Sequence, residues 1–162
     1  MKKIGIFYGS TTGTTESVAE QIASHLGVGS SEVYNVGNTD AKVAEELGSS
    51  TWGSGELQDD WYDFLEQLAG KNLSGKKIAL FGCGDAMSFG STFCDAVGII
   101  YEKLQGTGAT FIGTVDPSDY TYDASTAEID GQLVGLLIDE NNEADKTELR
   151  IQNWTDALKK EI

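Results

Sequence analysis

Apolar residues occur along the chain in two patterns. Some form short uninterrupted runs, and others recur every three to four residues. Runs at Ile4–Tyr8, Lys77–Phe81 and Thr110–Val115, with a shorter one at Glu32–Val36, are typical of strands buried on both faces of a parallel sheet. Four segments with helical spacing lie between and after them, and Gly27 is placed to end the first. The residues predicted to face the core are Val18, Ile22 and Leu26, then Leu57, Trp61, Phe64, Leu65 and Leu68, then Phe93, Val97, Ile100 and Leu104, and finally Ile151, Trp154 and Leu158.

This alternation of strands and helices predicts one α/β domain over residues 1–162, with a doubly wound parallel sheet covered by helices on both faces. Ligands of such sheets bind beyond the carboxyl ends of the strands, where the winding direction reverses. The loops after Tyr8, around Thr51 and after Phe81 are therefore the candidate site.

The charge balance limits the partners that the protein can have. The chain has 26 acidic and 11 basic residues, a net charge of −15, which excludes nucleic acid and favours a positively charged protein surface. No segment approaches membrane-spanning length, so we expect a cytoplasmic protein. Cys83 and Cys94 match no metal spacing and are expected to be reduced thiols, and no metal ligand or catalytic residue is assigned.

The segment "YGSTTGTTES", from Tyr8 to Ser17, is crowded with hydroxyl side chains and contains no Lys or Arg. A loop that leaves a strand and enters a helix presents backbone N–H groups and the positive end of the helix dipole, which together bind phosphate without a cation. The lysine of a nucleoside triphosphate loop and the glycine spacing of a dinucleotide site are both missing. The segment therefore predicts a site that holds a phosphate monoester without cleaving it. The structural alternative is a helix N-cap rich in hydroxyls, but a cap needs only one hydroxyl. The predicted phosphate ligands are Ser10, Thr11, Thr12, Gly13, Thr14 and Thr15.

Two aromatic residues are predicted on the other two loops. "SSTWGSGELQDDW" places Trp52 in a segment that is too rich in glycine for regular structure, and "FGCGDAMSFGSTF" places Phe89 in a similar setting. Either aromatic alone would more often belong to a core. Together, at one edge of the sheet, they can enclose a flat ring.

These motifs resemble those of the flavodoxins. Residues Ile6–Thr15 are similar to the family's phosphate loop, Thr51–Leu57 to its first ring-clasping loop, and Gly82–Ala96 to its second. Tyr120–Asp139 resembles the insertion in the last strand that marks long-chain members. The resemblance implies a flavodoxin-like doubly wound five-stranded parallel sheet and non-covalently bound FMN.

The resemblance also implies a function and a set of cofactor residues. The protein would be a monomeric, low-potential one-electron carrier rather than an enzyme, shuttling between semiquinone and hydroquinone. Its partners would be reductases and low-potential metalloenzymes with basic docking surfaces. In addition to the phosphate ligands, the implied cofactor residues are Ser50, Thr51, Trp52, Gly53, Ser54 and Gly55 in the first clasping loop, and Gly82, Cys83, Gly84, Asp85, Phe89 and Phe93 in the second.

Two alternative functions and one structural question stay open at this point. The chain could be a flavodoxin-like FMN-dependent NAD(P)H:quinone reductase, or a flavin-free receiver domain of the same architecture. In addition, the interval "GNTDAKVAEELGSS" is too short for both a helix and an ordinary third strand. Either Val43–Gly48 forms a distorted strand, or the sequence lacks residues that the folded protein contains there.

Overall fold

The computed structural model describes residues 3–10, 13–45, 49–54 and 59–162. The strands in chain order are β1 Ile4–Gly9, β2 Val33–Asn35, β3 Ser49–Ser54, β4 Lys77–Cys83, β5 Thr110–Ile112, β6 Glu128–Ile129, β7 Gln132–Leu133 and β8 Gly135–Ile138. The helices are α1 Thr14–Leu26, α2 Lys42–Glu45, α3 Asp59–Ala69, α4 Asp95–Lys103 and α5 Ala144–Glu161. No helix in this part of the chain is long and apolar enough to cross a bilayer.

The main sheet is parallel throughout, with the order β2-β1-β3-β4-β5. The order reverses between β1 and β3, which is the switch point that a doubly wound sheet places beside its ligand site. The register aligns Gly9, Ser54 and Gly82 across the three central strands, so the loops after β1, β3 and β4 leave from one edge. The predicted doubly wound α/β sheet is confirmed.

Alternate residues of the strands separate two cores, because successive side chains of a strand point to opposite faces. Ile6 and Phe81 lie on the face that α1 and α5 cover, whereas Phe7 and Leu80 lie on the face that α3 and α4 cover. The predicted core faces of all four helices are confirmed, except that Leu57 lies outside the described residues. Gly27 ends α1 with a φ of 70°, as predicted.

The predicted count of five strands needs a correction, because the last position of the sheet holds two strands. β5 pairs with Lys77–Ala79 of β4, and β8 pairs with Leu80–Cys83 of the same strand. The chain between them, residues 113–134, contains the β6–β7 hairpin and packs beside α4 and α5. Such an interruption of the last strand is what the resemblance to long-chain flavodoxins implies.

The third strand is the main departure from the sequence-based prediction. Lys42–Glu45 is helical and β3 begins only at Ser49, so Val43–Gly48 is not the third strand; residues 46–48 lie outside the described part. Residues 49–54, which were expected on a loop, form the central strand instead. Backbone pairing with strands on both sides stabilises an extended conformation that the residue types alone do not favour.

Candidate functional site

The candidate site begins where β1 ends and α1 starts. Gly13 is the N-cap residue of α1 with a φ of 88°, a conformation that favours glycine. Its N–H donates to the Ser10 Oγ at 2.9 Å, and its carbonyl accepts the first helical hydrogen bond, from the Ser17 N–H at 3.0 Å. The loop therefore directs the first-turn amides of α1 towards the carboxyl edge of the sheet.

A cavity of about 310 Å³ lies against this first turn. Its lining includes Gly13, Thr14 and Ser17 from α1, together with Glu140 from the loop after β8. Backbone amides, hydroxyls and the positive end of a 13-residue helix fit a phosphate monoester, and the described residues that line the cavity include no lysine or arginine. Thr11 and Thr12, also predicted here, lie outside the described residues.

Thr15 connects α1 to the end of β4. Its side chain is 2% exposed and forms a hydrogen bond with Cys83. Burial raises the pKa of the Cys83 thiol to about 12, and the bond with Thr15 opposes only part of that rise. Cys83 and Cys94 are both free thiols, and Cys83 stays protonated at neutral pH. A phosphate contact of Thr15 remains a prediction.

Gly9 allows the closest packing at this edge. A Cβ at this position would lie 2.4 Å from Nε1 and 2.5 Å from Cδ1 of Trp61, a fully buried residue of α3. Close packing against Trp61 therefore requires glycine at the end of β1. Nearby, the Tyr8 hydroxyl donates to the Glu16 carboxylate at 2.9 Å, and burial together with this bond raises the pKa of Tyr8.

The Asp85 carboxylate accepts several of the hydrogen bonds that hold the loop after β4. Asp85 accepts hydrogen bonds from the N–H groups of Met87 and Ser88, at 3.1 and 2.9 Å, and from the side-chain amides of Asn141 and Asn142. These bonds, the Ser88 backbone bond first, hold the pKa of Asp85 far below its usual range. Asp85 therefore shapes the loop, and a direct contact with a cofactor remains a prediction.

The two phenylalanines of this loop have different surroundings. Phe89 is 60% exposed, as expected for a ring that is displayed to a ligand. Phe93 is 2% exposed and stacks on Tyr122 at 5.4 Å between ring centroids, so its ring belongs to the core. Gly84 lies against that core, since a Cβ there would come within 2.9 Å of Phe93 and of Cys94. Cofactor contacts of Phe89, Phe93, Gly82 and Gly84 remain predictions.

Trp52 is not on a loop. It is the fourth residue of β3, and its backbone is in register with Phe7 and Leu80, two residues before the strand ends. Gly55 lies outside the described residues, so the first clasping loop is represented only by its strand residues, Ser50, Thr51, Trp52, Gly53 and Ser54. The role of Trp52 as a stacking residue remains a prediction.

The sequence analysis missed the contribution of the loop after β8. Glu140 lines the cavity at α1, and Asp139 and Asn142 reach the loop after β4. The signal was available in the order "GLLIDENN", an apolar run followed at once by polar residues. Because β8 is parallel to β4, its carboxyl end lies at the same edge of the sheet.

Comparisons with known proteins agree with this fold and this edge. The family model described as Flavodoxin matches residues 6–154. The chain is 43% identical over 171 aligned residues to Flavodoxin 1 of Azotobacter vinelandii, with 100% of this chain and 98% of the relative covered. It is 40% identical over 166 residues to the flavodoxin of Synechocystis, with 98% and 97% covered.

Among solved structures, a flavodoxin of Fusobacterium nucleatum bound to flavin mononucleotide superimposes with a TM-score of 0.92 at 28% identity. That match covers 100% of this chain and 99% of the other. Fold, family model and full-length relatives lead to one conclusion. The chain belongs to the flavodoxin family.

Proposed function

We propose that this chain carries single electrons on non-covalently bound FMN, exchanged with redox partner proteins. Flavodoxins are electron-transfer proteins rather than enzymes, and the relatives matched over their full length are flavodoxins. The observation that carries the proposal is the cavity at the first turn of α1, where Gly13, Thr14 and Ser17 offer neutral donors for the phosphate of FMN, with the Glu140 carboxylate also in the lining. The flavin supplies the redox chemistry when it is bound, and the protein binds, orients and shields it.

The residues at the carboxyl edge have distinct parts in this proposal. The first turn of α1 binds the phosphate, and the exposed ring of Phe89 packs on one face of the flavin. Trp52 and Ser54, near the carboxyl end of β3, would contact the ring from that side. The sequence-based choice of Ser10, Gly13 and Thr14 as phosphate ligands is retained.

The phosphate site can be tested with two serines of α1 that lie two helical turns apart. Ser17 lines the cavity, whereas Ser24 is exposed near the other end of the helix. A carboxylate placed about 6 Å from a phosphate dianion opposes binding by roughly 1 to 3 kcal/mol. We expect Ser17→Glu to weaken FMN binding by about tenfold or more, and Ser24→Glu to leave it unchanged.

The same titration with riboflavin, which lacks the phosphate, isolates the phosphate contribution. Wild-type apoprotein is expected to bind FMN more tightly than riboflavin, and Ser17→Glu should narrow that difference. Equal affinity of the wild type for both ligands would contradict a phosphate site at α1. Apoprotein that remains colourless after reconstitution with FMN and gel filtration would contradict the proposed function as a whole.

We further propose that the partners dock through basic surfaces and that the protein works as a cytoplasmic monomer. The support is the net charge of −15, which attracts a positively charged surface and keeps copies of the chain apart. Electron transfer to a basic partner should slow as salt rises from 10 to about 150 mM, since screening shortens the Debye length from about 30 to about 8 Å. A rate independent of salt would contradict this docking mode.

The comparisons do not favour the two alternative functions. The relatives that match over their full length and the FMN-bound structures with a TM-score of 0.92 are flavodoxins, whereas a quinone reductase or a receiver domain would have other relatives. NADPH oxidation by the holoprotein without an added reductase would reopen the reductase alternative.

A further inference from the structure

We propose that Asn142 is a positioning residue, which fixes the loop after β4 by bridging Asp85 and Asp139 and thereby tunes the affinity and potential of the bound cofactor. The proposal deepens the function proposed above and rests on it. Asn142 lies in the loop after β8, so it would act on the cofactor only through the loop that presents Phe89.

A single side-chain amide joins two carboxylates. Nδ2 of Asn142 donates to Oδ1 of Asp85 at 2.9 Å and lies 2.9 Å from each carboxylate oxygen of Asp139. The backbone N–H of Asn142 also donates to Asp139, at 3.1 Å. Because an amide NH2 has two hydrogens, one can serve each carboxylate.

Both bridged carboxylates hold the loop after β4. Asp139, which is 1% exposed, accepts the Ala86 N–H at 3.1 Å. Asp85 accepts the N–H groups of Met87 and Ser88 through its side chain, and its backbone carbonyl accepts the Phe89 N–H at 2.9 Å. Three successive backbone amides of the loop, those of Ala86, Met87 and Ser88, thus bond to the two carboxylates that Asn142 joins.

The bridge also reduces repulsion between two negative groups. Asp85 and Asp139 both lie within hydrogen-bond distance of one nitrogen, and like charges that are close disfavour each other. A neutral donor between them offsets this repulsion without adding charge beside the flavin. Removing it therefore changes the position of the loop while the number of carboxylates stays the same.

Asn141 offers a matched control. It is the neighbouring asparagine and is also exposed, and within the described residues its side chain donates only to Asp85, at 3.0 Å. Among the described residues, Asn142 alone bridges Asp85 to Asp139. The pair of variants Asn142→Ala and Asn141→Ala therefore separates the bridge from the loss of any one bond to Asp85.

The first readout is amide hydrogen exchange of the apoprotein, which needs no cofactor. In Asn142→Ala we expect exchange at Ala86 and Ser88 to accelerate about tenfold, as when one charge-assisted hydrogen bond is lost. Asn141→Ala should stay within about twofold of the wild type. Equal exchange rates at Ala86 and Ser88 in the two variants would overturn the proposal that Asn142 fixes the loop by bridging the two carboxylates. Where the alanine variant does not fold, Asn142→Ser retains one donor, and wild-type exchange rates in that variant would overturn the proposal as well.

The second readout is FMN affinity and the two one-electron midpoint potentials. We expect Asn142→Ala to bind FMN about tenfold more weakly. If binding weakens tenfold more in one oxidation state of the flavin than in the next, the midpoint potential between those two states shifts by about 59 mV. Unchanged affinity and potentials, with exchange accelerated, would overturn the tuning role. A wild-type protein that binds no FMN would instead refute the proposed function, while the exchange result would still decide whether Asn142 fixes the loop.

Discussion

Replacing Gly9 with alanine tests whether the end of β1 and the buried indole of α3 are packed as described. The added Cβ would lie 2.4 and 2.5 Å from two atoms of Trp61, whereas ordinary carbon contacts are about 3.5 to 4.0 Å. Either the strand or the indole must move by about 1 Å. Trp61 is fully buried and packs edge-on against Phe64 at 5.7 Å, so the indole has little room to move.

The expected cost is that of overpacking a core, about 1 to 3 kcal/mol. For a chain of this size, each kcal/mol lowers Tm by about 2 to 4 °C, which gives a decrease of roughly 2 to 12 °C. FMN affinity should fall as well, because Ser10 and the phosphate loop follow Gly9 directly.

Thermal and urea unfolding of the apoprotein, followed by circular dichroism, measures the effect. Gly29→Ala is the control, because the nearest atom to its added Cβ is the Ser31 Oγ at 3.8 Å and its φ of −69° suits alanine. If Gly9→Ala is as stable as Gly29→Ala, Trp61 does not pack against β1 as described.

Three further predictions concern the edge of the sheet at β8 and the inserted segment. Arg150→Met should lower the free energy of unfolding by about 2 kcal/mol in urea titrations, because it breaks a largely buried ion pair with Glu143; a change below about 0.5 kcal/mol would contradict this role. Burial raises the pKa of Tyr120 to about 12, so the free energy of unfolding should fall as pH rises from about 10 to 12, and Tyr120→Phe should flatten that slope. Gly135→Ala places a Cβ 2.2 Å from the Leu80 carbonyl oxygen and should lower stability by about 3 kcal/mol or more; thermal unfolding at the wild-type temperature would refute the close approach of β8 to β4.

Hydrophobic pattern was sufficient to predict most of the fold. Apolar residues such as Val18 and Ile22 can be buried together only if their segment is a helix with that face towards the core. Local sequence and tertiary structure therefore agree at these positions. β3 was not predictable in this way. Ser49–Ser54 has no apolar alternation, and its extended conformation depends on hydrogen bonds to β1 and β4, which lie far away in sequence.

The candidate site was predictable in its location and only partly in its residues. The Gly13 turn follows from general rules for loops between strands and helices. Asn142 was missed because its partners, Asp85 and Asp139, come together only when β8 pairs with β4. A cofactor contact was predicted for Phe93 because the residue belongs to the motif. Its ring is buried against Tyr122 of the inserted segment, and the contact remains a prediction.

The central position of β3 has a consequence for the order of folding. A collapsing chain first gathers its long apolar side chains, and these are concentrated in β1, β4 and their helices, whereas five of the six β3 residues are serine, threonine or glycine. We expect β3 to dock after the transition state has formed between its neighbours. Substitutions in β1 and β4 should then slow folding, whereas substitutions in β3 should mainly accelerate unfolding.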